Sequence, residues 1–193
     1  MLGKSHGHQQ ALTQDPLEEG SMTNREFFIE CWEQEYPTFI KVLKAVPADK
    51  LDYRPHPRSR SAAELVWLQV LEKQCWFELL ETGKIDWKLP PPPKSLEEMI
   101  STYTKAHADL APRLKKLDDK SWNQKMTQFL LEGRLAFETV MGHMFWIGLF
   151  DAIHHRGQFS VYLRPMGGKV PAIYAGSADD PSLGSLVALR GLD

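Results

Sequence analysis

The chain has 193 residues, of which 42% are hydrophobic, and a formal net charge of −2. This length suits one domain with a hydrophobic core, and the near-neutral charge, without a cluster of Lys and Arg interleaved with aromatic residues, excludes the surface of a typical nucleic-acid-binding protein. Neither an apolar run of about 18 residues nor an apolar N-terminal signal occurs, and the two cysteines, Cys31 and Cys75, are far apart, so we expect a cytoplasmic protein with buried thiols, without a membrane span or a disulfide.

The first helix is expected soon after an irregular N-terminus. Residues 1–21 mix Gly, His, Gln and acidic residues without hydrophobic periodicity, which predicts a disordered leader or a remnant of cloning. Thr23 and Glu26 have the spacing of a capping box, in which each side chain accepts a hydrogen bond from the other residue's backbone N–H. Apolar residues at helical spacing then predict helix 1 over residues 23–46, with a bend or a local break at Pro37.

Two further capping boxes mark the next two helices. Residues 47–60 contain several prolines, which remove backbone donors, and therefore predict an irregular connection. The capping box that starts at Ser61 predicts helix 2 over residues 61–82. The one that starts at Ser95 predicts helix 3, which extends to about Leu117.

The last helix is predicted to be the most buried element. Residues 118–137 have a weaker pattern and predict a loop or a short hairpin between helices 3 and 4. Helix 4, over residues 137–165, is apolar on nearly every side, and Val170–Tyr174 is expected to lie against the helices as an extended strap. The sequence thus predicts an all-α four-helix bundle over residues 22–180, followed by a C-terminal tail over residues 181–193.

One stretch of helix 4 carries polar side chains that could bind a metal ion or transfer a proton. Asp151 and His155 are four residues apart, which places them about 40° apart on one face of a helix, whereas His154 lies on the other side of Asp151. A carboxylate and an imidazole can therefore converge on a divalent metal ion, on a proton in transit, or on each other as an ion pair. The spacing leaves these three alternatives open.

Several blocks of the sequence resemble the DinB (DNA-damage-inducible) family, in the same order and over about residues 23–180. The blocks are Pro47–His56, Ser61–Leu65, Asp151–Gln158, Tyr162–Arg164 and Gly168–Tyr174. The resemblance implies a bacterial-type four-helix bundle that forms a homodimer. It also implies a metal site made by one ligand from helix 2 and two ligands one turn apart on helix 4.

The resemblance assigns candidate metal ligands and exposes a missing one. On helix 4 the ligand pair falls on Asp151 and His155, with Asp at the position where His is more usual. On helix 2 the family's His falls at Leu68, which cannot bind a metal. Glu72, one turn beyond Leu68, and His154 are the additional candidates. Imidazole nitrogen and carboxylate oxygen suit Zn, Ni, Fe or Mn.

Two main hypotheses for the function follow. In the first, the protein is a metal-dependent enzyme of the thiol-transferase or hydrolase type that acts on a small-molecule or thiol substrate. In the second, the metal site is degenerate, Asp151 and His155 form a buried ion pair, and His154 and Arg156 face solvent or a partner, so that the protein is a non-catalytic small-molecule-binding or interaction module. A third hypothesis is general acid–base catalysis by His155, oriented by Asp151. Cys75 is the thiol that could face the same cavity.

Overall fold

The computed structural model describes residues 21–182 and Gly184. The predicted leader up to residue 20 and most of the predicted C-terminal tail lie outside the described residues. Within this part, five α-helices follow one another: α1 (Asn24–Lys44), α2 (Ala62–Thr82), α3 (Leu96–Lys116), the short α4 (Asp119–Gln124) and α5 (Met141–Leu163). None of the helices in the described ranges is both long and apolar enough to cross a membrane.

The long helices α1, α2 and α3 begin where their capping sequences predict. At Thr23 and Ser61 the capping box is complete, because the cap oxygen and the Glu three residues later each accept a backbone hydrogen bond from the other residue. Ser95 accepts a hydrogen bond from the backbone N–H of Glu98, but this cap lacks the reciprocal bond. Helix α1 continues through Pro37 rather than breaking there.

A three-stranded sheet corrects the all-α prediction. Strand β1 (Lys84–Trp87) pairs in parallel with β2 (Met126–Leu131), and β2 pairs in antiparallel with β3 (Arg134–Val140). The β2–β3 hairpin confirms one of the two alternatives predicted between helices 3 and 4, whereas β1 and α4 are additional elements. The prediction that the last helix begins at residue 137 is wrong, because β3 extends to Val140 and α5 follows it directly.

Helix α2, and not α5, is the most buried of the long helices. It contacts α3, α5 and β1, whereas α5 leaves the large apolar side chains of Phe150 and Val161 exposed. Some apolar residues of α5 thus lie in the core and others on an outer face. The amino-acid composition of the helix alone does not show which residues are buried. The buried position of α2 brings its polar residues into contact with α5.

The segment after α5 lies against the helices, and it holds a buried arginine. Ala172 in this segment is fully buried, and its backbone N–H donates to a carboxylate oxygen of Asp180 at 2.9 Å. The guanidinium of Arg156 pairs with Glu35 and donates to the hydroxyl of Tyr174 at 2.7 Å. The hypothesis that Arg156 faces solvent or a partner is therefore wrong. Its role is to connect α1, α5 and the C-terminal segment.

Candidate metal centre

Three side chains from α2 and α5 converge on one point. Glu72 lies on α2, while Asp151 and His155 lie one turn apart on α5. One ligand atom of each residue lies within 4.8 Å of the others, and Asp151 Oδ2 lies 3.4 Å from His155 Nε2. This is the only such group of three or more His, Cys, Asp or Glu residues in the described part of the chain.

Glu72 is a buried carboxylate without a hydrogen-bond partner in the described part of the chain. The residue is 7% exposed, and neither of its carboxylate oxygens has a hydrogen-bond partner among the described residues. Burial, followed by the neighbouring charge of Asp151, raises the pKa of Glu72 well above its ordinary value. Because an unpaired buried polar group is costly, Glu72 requires either a proton or a cation.

Hydrogen bonds orient the imidazole of His155 toward these carboxylates. The side-chain amide nitrogen of Gln158 lies 2.9 Å from His154 Nε2, and its amide oxygen lies 3.1 Å from His155 Nδ1. In this arrangement Nδ1 of His155 carries the hydrogen that the amide oxygen accepts. When the ring is neutral, the lone pair of Nε2 faces Asp151 and Glu72, as in a metal-binding histidine that a second residue orients. When the ring is protonated, Nε2 donates to Asp151 instead.

The Asp151–His155 contact also has the features of an ion pair. The hydrogen bond from His155 lowers the pKa of Asp151. Burial lowers the pKa of His155, but the hydrogen bonds to Asp151 and Gln158 outweigh burial and raise its pKa overall. The expectation of a buried pair is wrong, because the side chain of Asp151 is 54% exposed. When these two residues form an ion pair, Glu72 is neutralised by a proton, which it can donate to the adjacent carboxylate of Asp151.

The other residues considered as ligands lie near the group without joining it. Leu68 is buried and lines the same cavity as the three side chains, but it has no donor atom. His154 is exposed and contacts Gln158 instead. Of the two weaker sequence candidates, the structure therefore brings Glu72, and not His154, to Asp151 and His155.

A cavity of about 350 Å³ opens beside the three side chains, between the sheet and helices α2 and α5. Its walls are mostly apolar and include aromatic side chains from the helices and the strands: Trp76, Trp87, Phe129 and Phe137. Arg60, from the irregular segment before α2, also lines this cavity. Neither the strand residues nor Arg60 can be predicted from local sequence patterns, because the cavity forms only when the sheet packs beside the helices.

Cys75 lines the cavity as predicted, but it is not a reactive thiol. The residue is partly buried rather than fully buried, as is Cys31, and both thiols are free. Burial, together with the negative charges of Glu78 and Glu72, raises the pKa of Cys75 to about 12. The thiol therefore stays protonated near neutral pH, whereas the thiolate is the nucleophilic form.

The donor set fits a divalent transition metal ion. Two carboxylates and one imidazole supply oxygen and nitrogen donors, which suit Zn, Ni, Fe or Mn. Three protein ligands also match the number that a catalytic zinc site commonly has. The oxygens of Glu72, which have no hydrogen-bond partner among the described residues, give the clearest sign of a fit. The positive charge of Lys73 does not outweigh burial and Asp151, and a bound cation would.

The comparisons with known proteins agree with the fold. A family model described as DinB family matches residues 21–183. A crystal structure of a DinB-like protein from Bacillus cereus has a TM-score of 0.63 and 24% sequence identity, and the match covers 77% of this chain and 97% of that chain. A DinB-like protein from Bacillus subtilis has a TM-score of 0.57 and 17% identity, with coverage of 74% and 93%. No curated protein matches the sequence.

Proposed function

The chain belongs to the DinB family, and on that premise we propose that it is a metal-dependent enzyme of the hydrolase or thiol-transferase type. Glu72, Asp151 and His155 would hold one divalent ion, with Zn, Ni, Fe and Mn as the candidates. The observation that carries the proposal is the buried carboxylate of Glu72, which lies beside Asp151 and His155 and whose two oxygens have no hydrogen-bond partner within residues 21–182. Glu72 thus takes the role on α2 that Leu68 cannot fill.

The residues of the chain have distinct roles in this proposal. A bound divalent ion would supply Lewis-acid chemistry toward water, a thiol or a polarised substrate group. Gln158 holds the His155 ring in position, and the apolar cavity walls exclude bulk water from a bound substrate. The exposed side of Asp151 leaves the site accessible from the cavity.

A thiol in the reaction would have to come from a second substrate. Cys75 is the cysteine that lines the cavity, and the raised pKa keeps its thiol protonated. Cys31 is not among the residues that line the cavity. In a transfer reaction the attacking sulfur would therefore belong to a small thiol that enters the cavity together with, or after, the acceptor.

Metal titration of Glu72→Gln tests the proposal, with Glu78→Gln as the matched control. Both residues lie on α2, and Glu78 is outside the converging group. We expect Glu72→Gln to weaken Zn or Mn binding at least about tenfold in competition with a chromophoric chelator, because even indirect partners of metal ligands contribute about that much. Glu78→Gln should bind the metal as the wild type does. Equal metal affinity in the two variants would contradict the assignment of Glu72.

A second candidate function is a non-catalytic binding module with a degenerate metal site. The contact between His155 Nε2 and Asp151 Oδ2 at 3.4 Å favours it, because an ion pair could occupy these two residues without a metal. In that case Glu72 would be protonated. The same titration separates the candidates, since a degenerate site would bind no metal in the wild type.

A further inference from the structure

Arg60 is a positively charged residue whose guanidinium has no partner among the described residues. It lines the cavity together with Asp151 and His155, and it forms no ion pair and no side-chain hydrogen bond within residues 21–182. The residue is partly buried. A cation with free donors at the edge of an apolar cavity is well placed to meet a negatively charged group of a ligand.

The backbone of Arg60 is held by both helices that form the candidate metal centre. Its carbonyl oxygen accepts a hydrogen bond from the Tyr162 hydroxyl of α5 at 3.1 Å. The next residue, Ser61, is the N-cap of α2. The base of the Arg60 side chain is therefore fixed relative to Asp151 and His155, while its guanidinium remains free to bind.

The acidic residues around Arg60 already have other partners. Glu64 forms two hydrogen bonds with Arg54, at 2.9 and 3.0 Å, and Asp151 contacts His155. If Glu72 and Asp151 hold a divalent ion, their two negative charges are also neutralised, so this step rests on the proposed function. The positive charge of Arg60 is then available to a ligand.

We propose that the substrate is amphipathic, with a flat apolar or aromatic body in the cavity and an anionic group that Arg60 binds. The apolar body of the substrate would lie among four aromatic side chains that line the cavity: Trp76, Trp87, Phe129 and Phe137. The cavity volume of about 350 Å³ falls within the range of about 300–1,000 Å³ that is usual for small-molecule sites. The planar guanidinium suits carboxylate, sulfonate and phosphate groups.

A pair of matched probes tests this specificity: 2-naphthalenesulfonate and the neutral 2-(methylsulfonyl)naphthalene. The two share the aromatic body and differ in charge, and a sulfonate is a weak metal ligand, so a preference for it reports on Arg60 rather than on the metal. We expect the Zn-loaded protein to bind the sulfonate about tenfold more tightly in calorimetric titration, as a hydrogen bond to a charged group predicts. Equal affinities, or no binding of either probe, would overturn the inference.

Two arginine variants identify the residue responsible. Arg60→Gln should abolish the preference for the sulfonate, whereas Arg58→Gln, which removes the same charge from an exposed position outside the cavity, should retain it. An equal loss in both variants would show a non-specific charge effect and overturn the inference. Metal content is measured on the same samples, since absence of metal contradicts the proposed function alone. If no metal is bound, the same two probes are titrated into the metal-free protein. A preference for the sulfonate that depends on Arg60 then supports the inference, and equal affinities overturn it.

Discussion

At the level of single residues, the candidate metal centre combines a local pair, Asp151 and His155, with a ligand from another helix, Glu72. Asp151 and His155 are one helical turn apart, so their convergence follows from local geometry once helix 4 is recognised. Glu72 reaches them only because α2 packs against α5. The alignment of these two helices along each other depends on the packing of the whole core. The resemblance to a family pointed to helix 2, but at Leu68. The sequence feature that indicates Glu72 is its position one helical turn beyond Leu68, on the same helix.

His107 belongs to a second polar cluster that the sequence did not reveal. Its Nδ1 lies 3.1 Å from Lys73 Nζ, and its Nε2 lies 3.0 Å from a carboxylate oxygen of Glu33. The ring is stacked between Trp32 and Tyr36, with centroid distances of 3.9 and 3.8 Å. Protonation would place a hydrogen on Nδ1 against the ammonium group of Lys73. Burial and Lys73 accordingly lower the pKa of His107, although Glu33 opposes them.

This cluster should make stability depend on pH below about 6.5. Because the pKa of His107 is lower in the folded than in the unfolded state, the unfolded chain binds the proton first, and the free energy of unfolding falls as the pH decreases. Between pH 7 and pH 5 we expect the wild type to lose about 1 kcal/mol more than His107→Gln in urea denaturation. Equal losses would show that His107 is not held neutral by its surroundings.

At the level of elements, local sequence patterns predict where the helices begin but do not predict the strands. The caps at Thr23 and Ser61 begin their helices with local hydrogen bonds, so the sequence predicts those starts. The short strand β1 depends on β2, a partner far along the chain, with Lys84 opposite Gln128. Four residues without their partner strand carry no periodicity that distinguishes a strand from a loop.

Two glycines of α5 give a direct test of its packing. A Cβ atom at Gly142 would overlap the indole of Trp122, which is buried, hydrogen-bonded to Asn24 at 2.9 Å and stacked on Phe145. We therefore expect Gly142→Ala to destabilise the protein by about 1–3 kcal/mol.

The control for this change is Gly157→Ala in the same helix. Gly157 has open space where its Cβ would lie, so alanine should stabilise the helix by up to about 1 kcal/mol. Chemical denaturation of both variants measures the difference. A Gly142→Ala variant as stable as Gly157→Ala would contradict the close contact between α5 and Trp122.

At the level of the whole molecule, the cavity is built by elements that are distant in the sequence. Strands β1, β2 and β3 contribute one wall, and helices α2 and α5 contribute the polar end. The sequence predicts the helical framework, Asp151 and His155 as ligands and Glu72 as an additional candidate, but not the sheet that encloses the cavity. The homodimer remains a prediction, which light scattering coupled to size-exclusion chromatography can test.

The assembled cavity leads to a prediction about turnover. With Zn or Mn bound, the protein should accelerate the reaction of a small thiol with 1-chloro-2,4-dinitrobenzene, in which a C–S bond forms, chloride leaves and the thiol proton passes to solvent. The rate, followed by absorbance, should fall on addition of a chelator and in Glu72→Gln. A rate that is indifferent to both changes would contradict metal-dependent thiol transfer.

The central claim is that Glu72, Asp151 and His155 hold a metal ion, and elemental analysis of the untagged wild-type protein tests it most directly. After loading with Zn, Ni, Fe or Mn and removal of the free ion, the account predicts about one equivalent per chain for at least one of these metals, since the three side chains form a single group. Less than about a tenth of an equivalent for every metal would contradict the account.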